Sequence, residues 1–206
     1  PSKLKSLPKT LSLDEVKRLI KAARTMPKGN SQKRRLTCLM ELLYATGMRV
    51  TELVSLPVES VRGQPKMILV RGKGGKERMI PISNDAQVAI MDWLSWRDKD
   101  NATKGSLFLF PSRGIKGHLT RVWFFQQIKN LAKTVNISMD KVTPHTLRHA
   151  FATHLLIGGA DLRSIQTLLG HKDIATTEIY THILDERLTE LVLTRHPLAQ
   201  QRETSE

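Results

Sequence analysis

Tyr180 stands in Gly170-His171-Lys172-Asp173-Ile174-Ala175-Thr176-Thr177-Glu178-Ile179-Tyr180-Thr181-His182, one of only two tyrosines in the chain. A phenol hydroxyl can form a covalent phosphoryl intermediate. The commoner lot of a tyrosine is a buried ring with a hydrogen-bonded hydroxyl. The polar, histidine-bearing setting shifts the balance toward chemistry. A second stretch is Thr143-Pro144-His145-Thr146-Leu147-Arg148-His149. His145 and Arg148 are spaced i,i+3 and leave one face of a first helical turn. That turn adds free backbone N–H groups and a positive dipole end, so the set suits a phosphate. A solvated polar first turn is the alternative. Arg49 follows a helix in Gly47-Met48-Arg49-Val50-Thr51-Glu52-Leu53, where Glu52 can orient it. Alone it would read as a surface cation. Lys73 occupies Gly72-Lys73-Gly74-Gly75-Lys76-Glu77, and a lysine on such a tip can reach into a groove and donate a proton. The tip fails the P-loop pattern, because Glu77 follows Lys76 where Ser or Thr is required. His145 and His149 are i,i+4, but no His-Glu-x-x-His pattern is present and Arg148 would repel a dication, so no metal site is expected.

The elements that must position these residues are mostly helical. Ser12 with Glu15 forms a capping box for an amphipathic helix to about Met26, broken by Pro27-Lys28-Gly29-Asn30. Leu36, Leu39, Met40, Leu43 and Tyr44 recur at helical spacing, and Gly47 ends that helix. Thr51 to Leu56 reads as a short helix stopped by Pro57. Met67-Ile68-Leu69-Val70 and Arg78-Met79-Ile80-Pro81-Ile82 flank the glycine-rich tip and predict a β-hairpin. Helices are predicted over about Asp85 to Trp96, Leu119 to Val135, His145 to Ile157, Asp161 to Leu168 and Leu184 to Leu193. Thr143 with Pro144 is a favourable helix start. The fold class is therefore α+β, mainly α-helical with one small antiparallel hairpin, in one domain. Trp93, Trp96, Trp123, Phe124 and Phe125 lie at helical spacing and are assigned to the core rather than to base stacking.

Composition narrows the partner. Lys and Arg number 33 against 19 Asp and Glu, a net charge of +14 that points to a polyanion. The basic residues are spread along the chain, which favours nucleic acid over a membrane surface. No run approaches the length of a spanning helix, and no export signal is evident. The single cysteine, Cys38, lies in an apolar stretch and reads as a buried inert thiol in a reducing compartment.

Arg49, Lys73, His145, Arg148, His171 and Tyr180 together resemble the catalytic set of the tyrosine recombinase (phage integrase) family, in the family's order. The local settings Gly-Met-Arg-x-Thr-Glu-Leu, Gly-Lys-Gly-Gly-Lys-Glu-Arg, His-x-Leu-Arg-His, Leu-Leu-Gly-His and Tyr-Thr-His also match. The resemblance covers about residues 8 to 198. Phe151-Ala152-Thr153-His154-Leu155-Leu156, Gly159-Ala160-Asp161-Leu162-Arg163 and His196-Pro197 are most similar to the Xer recombinases. Leu198, where Xer chains commonly carry Arg, and Lys172-Asp173 depart from that pattern and keep a phage or mobile-element integrase open.

The resemblance implies that Tyr180 attacks a scissile phosphate and that Arg49, Arg148 and His171 hold its oxygens. Lys73 would protonate the leaving oxygen, and His145 would manage the tyrosine proton. It implies no cofactor, no metal and no ATP. Glu52 and His149 are expected to support the site from behind. Arg34, Arg35, Arg71, Lys76, Arg78, Lys116 and Arg121 are expected at the DNA backbone, with a solvated face as their alternative. The partner implied is double-stranded DNA, bound by a homo- or hetero-tetramer on synapsed duplexes in the cytoplasm, at the nucleoid. Residues 1–11 resemble a linker, residues 12–183 the catalytic domain, and residues 184–206 a helix and tail that dock on a neighbouring protomer. The family's DNA-clamping domain is not in this sequence. Two rival readings are a DNA-binding module without catalysis, which would break the six-residue set, and a type IB topoisomerase-like enzyme, against which the Xer-like stretches speak.

Overall fold

Helix starts and stops written into the sequence divide the chain. A computed structural model describes residues 10–170, with Lys73 and Leu162 described in the backbone alone. The expected linker through residue 9, His171, Tyr180, His182 and the helix predicted over Leu184 to Leu193 lie outside the described residues.

Helix α1 (Leu13–Thr25) begins as the capping box requires. The Ser12 hydroxyl accepts from the Glu15 amide at 3.1 Å, and the Glu15 carboxylate accepts from the Ser12 amide at 2.7 Å. Helix α2 (Asn30–Thr46) forms the centre and is buried along its whole second half. It packs on α1, α4 and α6. Gly47 ends it at φ +58°, and a Cβ there would lie 2.3 Å from a ring carbon of Phe151. Only glycine satisfies both the left-handed turn and the close approach.

Arg49 then caps the short α3 (Val50–Val54), and strands β1 (Met67–Arg71) and β2 (Glu77–Pro81) form the hairpin. Their antiparallel register pairs Val70 with Arg78 and Arg71 with Glu77. The pleat turns Ile68, Val70 and Ile80 into the core. Between the strands, Lys73–Gly75 make one tight turn, with Gly74 at φ +76° and Gly75 at φ +74°. Helices α4 (Asn84–Arg97), α5 (Arg121–Thr134), α6 (Pro144–Ile157) and α7 (Leu162–Leu169) complete the described residues. Thr143 caps α6 through the Thr146 amide at 3.0 Å, with Pro144 in the first turn. The fold class is as expected, mainly helical with a two-stranded antiparallel sheet.

Trp93 and Phe124 are buried, and Trp96 and Trp123 are partly buried against the core. Phe125 corrects the expectation for this group. It is on the surface, beneath the Lys129 ammonium, because it sits one residue off the inward stripe of α5 formed by Phe124, Ile128 and Leu131. Cys38 is fully buried, and desolvation raises its thiol pKa well above the ordinary value. Among the described residues no helix is long and apolar enough to cross a membrane.

Candidate active site

The ends of α2 and α7, the start of α3, strand β2 and Arg148 of α6 meet around Glu52. Arg49 donates its backbone N–H to Glu52 Oε2 at 2.7 Å and its Nη1 to Oε1 at 3.1 Å. Its Nη2 lies 3.4 Å from the carbonyl of Gly170, at the end of α7. Arg148, on α6, donates Nη2 to the neighbouring carbonyl of Leu169 at 2.6 Å, and Nη1 to the carbonyl of Gly47 at the end of α2. Arg49 and Arg148 are far apart in sequence, yet both are held by adjacent carbonyls of one helix terminus. Cationic donors near the last carbonyls of a helix also complement its dipole.

A third guanidinium, Arg78 of β2, shares Glu52. Its Nη1 and Nη2 reach Oε1 and Oε2 at 3.0 and 2.8 Å, and its Nε donates to the Leu168 carbonyl at 3.1 Å. Arg78, expected at the DNA backbone, instead turns inward onto Glu52 and the end of α7. The signal was present, since Arg78 shares strand parity with the buried Ile80 and lies opposite the buried Val70. Gly47, Leu169 and Gly170, whose carbonyls anchor Arg49 and Arg148, carry no such signal. A carbonyl's use as an anchor leaves no mark in residue type.

Three positive charges against one negative leave the cluster with a surplus of two. Burial pushes the Glu52 carboxyl up, but hydrogen bonds from Arg78 and Arg49, with the Arg78 charge, carry it below its ordinary value. Burial, reinforced by the nearby Arg49 and Arg78 charges, pushes the Arg148 guanidinium down to about 10, while Glu52 opposes that fall. It stays protonated at neutral pH. Arg148 spends two of the five N–H donors of a guanidinium on carbonyls. The others, with those of the half-exposed Arg49, can meet an anion.

His145 is exposed on the first turn of α6, ahead of Arg148 on the same face. Lys73 opens the hairpin turn, in which Gly72 N–H donates to the Lys76 carbonyl at 2.7 Å. His171 follows Gly170 directly in sequence. His149 is exposed, and its ring makes no hydrogen bond to a described residue. Among the described residues His154 is instead the buried histidine, its Nδ1 2.8 Å from the Tyr44 hydroxyl. Burial lowers the His154 pKa and raises that of Tyr44.

The remaining cations fall into two sets. Arg34 pairs with Asp92 at 2.7 Å, and Arg71 with Glu77 at 2.8 Å. Arg35 lies over Trp123, 4.8 Å from the ring centroid, and burial lowers its pKa. Lys76, Lys116 and Arg121 are exposed, with no ion pair to a described residue. Among the described residues no cluster of His, Cys, Asp and Glu is arranged to hold a metal ion.

Residues 9–187 match the phage integrase family. The chain is 49% identical over 205 residues to tyrosine recombinase XerD of Rhizobium meliloti, covering 98% of this chain and 65% of that protein. It is 52% identical over 200 residues to tyrosine recombinase XerC of Erythrobacter litoralis, covering 97% of this chain and 63% of that one. The chain thus spans a little under two thirds of the length of these relatives. The crystal structure of the XerH site-specific recombinase bound to difH substrate, a pre-cleavage complex, superposes with a TM-score of 0.69 at 26% identity, covering 88% of this chain and 52% of that one. The chain belongs to the phage integrase family, the tyrosine recombinases.

Proposed function

We propose that this chain is the catalytic part of a site-specific recombinase that cuts and rejoins double-stranded DNA through a phosphotyrosine at Tyr180. Xer-type resolution of chromosome dimers is its task, a reading favoured by relatives named XerD and XerC near half identity. One observation carries the chemistry. Arg49 and Arg148 are gathered by adjacent carbonyls into a cluster with surplus positive charge, on the chain segment that leads to His171. Planar guanidiniums match the paired oxygens of a phosphodiester, which a single ammonium cannot.

In the cleavage step the Tyr180 hydroxyl oxygen bonds to phosphorus and loses its proton toward His145. The bond from phosphorus to the 5′-oxygen breaks, and that oxygen takes a proton from Lys73. Arg49, Arg148 and His171 stabilise the charge that grows on the non-bridging oxygens. The bond energy is kept as a 3′-phosphotyrosine. A 5′-hydroxyl from another strand then attacks it and restores the phenol, so rejoining needs no ATP. The exposed Lys76, Lys116 and Arg121 extend the positive surface along the duplex. Exchange between two duplexes needs a tetramer, with residues 184–206 docking on the neighbouring protomer.

The test is a duplex nicked near the cleavage point, whose released fragment diffuses away. A covalent protein–DNA adduct on a denaturing gel is expected, unchanged by chelator. Tyr180→Phe abolishes it and keeps DNA binding. An adduct from the Phe variant assigns the nucleophile elsewhere, and binding without any adduct makes the chain a DNA-binding module.

A further inference from the structure

The Arg78–Glu52 pair is in a place the cleavage chemistry does not explain. Neither side chain is offered to solvent, with 13% of Arg78 and 4% of Glu52 exposed. Each Glu52 oxygen accepts twice, once from Arg78 and once from Arg49, so the carboxylate is filled. Three donors of Arg78 point inward, two to Glu52 and one to the carbonyl of Leu168.

Two glycines close on this pair. A Cβ on Gly170 would sit 3.2 Å from Cδ and Nε of Arg78, and Gly170 also has φ +66°. A Cβ on Gly72 would sit 3.3 Å from Glu52 Oε1 and 3.4 Å from Arg78 Nη1. Gly72 directly precedes Lys73, and Gly170 directly precedes His171. The backbones that deliver two catalytic residues thus rest on the same ion pair that orients a third, Arg49.

We propose that Arg78 is a positioning residue, which through its pair with Glu52 locks Arg49, the neck of the Lys73 hairpin and the end of α7 ahead of His171 into one node. This rests on the reading of the chain as a DNA-cleaving recombinase. Arg78 touches neither DNA nor the reacting atoms in this role. Its fork is required because a lysine ammonium cannot bridge two carboxylate oxygens and a helix carbonyl together.

The experiment compares the full chain with Arg78→Lys, with Arg78→Gln as the second variant should the lysine variant fail to fold. Duplex binding within about threefold of wild type is expected. Adduct formation on the nicked duplex slows on the order of 100-fold, the size of effect that a small misplacement of catalytic groups produces. In an Arg49→Ala background the same change slows the adduct by a smaller factor, because one of the three groups that it positions is gone. An equal slowing in both backgrounds, no slowing, or loss of binding in step with cleavage overturns the assignment. Amide hydrogen exchange gives a readout free of catalysis. Exchange is expected to rise together at Gly72–Lys76 and at Leu168–Gly170 in the variant, and a rise at neither overturns the node. Failure of wild type to form an adduct that Tyr180→Phe removes would sink the cleavage reading while leaving the exchange result to judge the node.

Discussion

Two arginines of one hairpin pair with glutamates at the same distance and in different surroundings. Arg71 meets Glu77 across the turn end at 2.8 Å, with 75% and 41% of the two side chains exposed. Arg78 meets Glu52 at 2.8 Å, with 13% and 4% exposed. The pleat decides which is which. Arg78 falls on the face of Val70 and Ile80, while Arg71 and Glu77 fall on the other. In water the attraction is screened and offset by the entropy of holding two long side chains, so an outer pair contributes roughly 0–1 kcal/mol. In the interior the charges depend on each other, and removing one strands the rest. Length and count of ion pairs therefore do not rank them; burial and the number of remaining partners do.

Loss of a half-buried guanidinium gives the largest contrast. Arg148→Lys keeps the charge but cannot reach the Gly47 and Leu169 carbonyls and a phosphate at once. Adduct formation in single turnover is expected to fall about 10²–10³-fold, as for the loss of one preorganised donor. A fall under about fivefold would place Arg148 among the surface cations and erase the distinction. Glu52→Ala is next. It leaves Arg49, Arg78 and Arg148 clustered without their carboxylate. A cost of about 3 kcal/mol is expected, at the low end for breaking a buried pair because Arg49 is half in solvent. For a chain of this size that lowers the melting temperature by about 6–12 °C.

Acid sharpens the same point. The folded Glu52 pKa lies below its ordinary 4.5. Its contribution is thus complete above the unfolded value and is lost as pH falls through the folded one. The melting-temperature gap between wild type and Glu52→Gln is expected to be widest above the ordinary carboxylate range and to narrow as pH falls below 4.5 through the folded value. Asp98, held low by the Arg62 hydrogen bond, titrates equally in both proteins and cancels. A gap that grows on acidification would mean that Glu52 is raised by burial rather than lowered by its arginines.

Sequence periodicity revealed the frame better than the site. Ser12, Gly47, Thr143 and the hairpin glycines mark local events, governed by neighbours within four residues, and each element stands where its marker put it. Glu52 was legible as a neighbour of Arg49, because i,i+3 on a helix is also local. Its second partner was not, since the reach from Glu52 to Arg78 depends on how β2 packs against α3, and no spacing rule spans that. The carbonyls of Gly47, Leu169 and Gly170 were invisible for a different reason, as every residue has one. Phe125 was misplaced because a run of three aromatics, Trp123-Phe124-Phe125, cannot all face inward on one helix.

The smallest expected effect tests the outer pair. Arg71→Ala removes the partner of Glu77 on the exposed face. Stability in urea is expected to change by less than about 1 kcal/mol. That change should vanish near 1 M salt, where the screening length is about 3 Å. DNA binding reads the same side chain differently. If Arg71 reaches a backbone phosphate in the complex, its removal lowers the slope of log affinity against log salt by about 0.9, with no change in which sequence is preferred. A slope change without a stability change makes Arg71 a ligand contact that merely rests on Glu77. A stability loss as large as that of Glu52→Ala would show that strand parity does not separate the two pairs, and the contrast between the faces of the hairpin would fall with it.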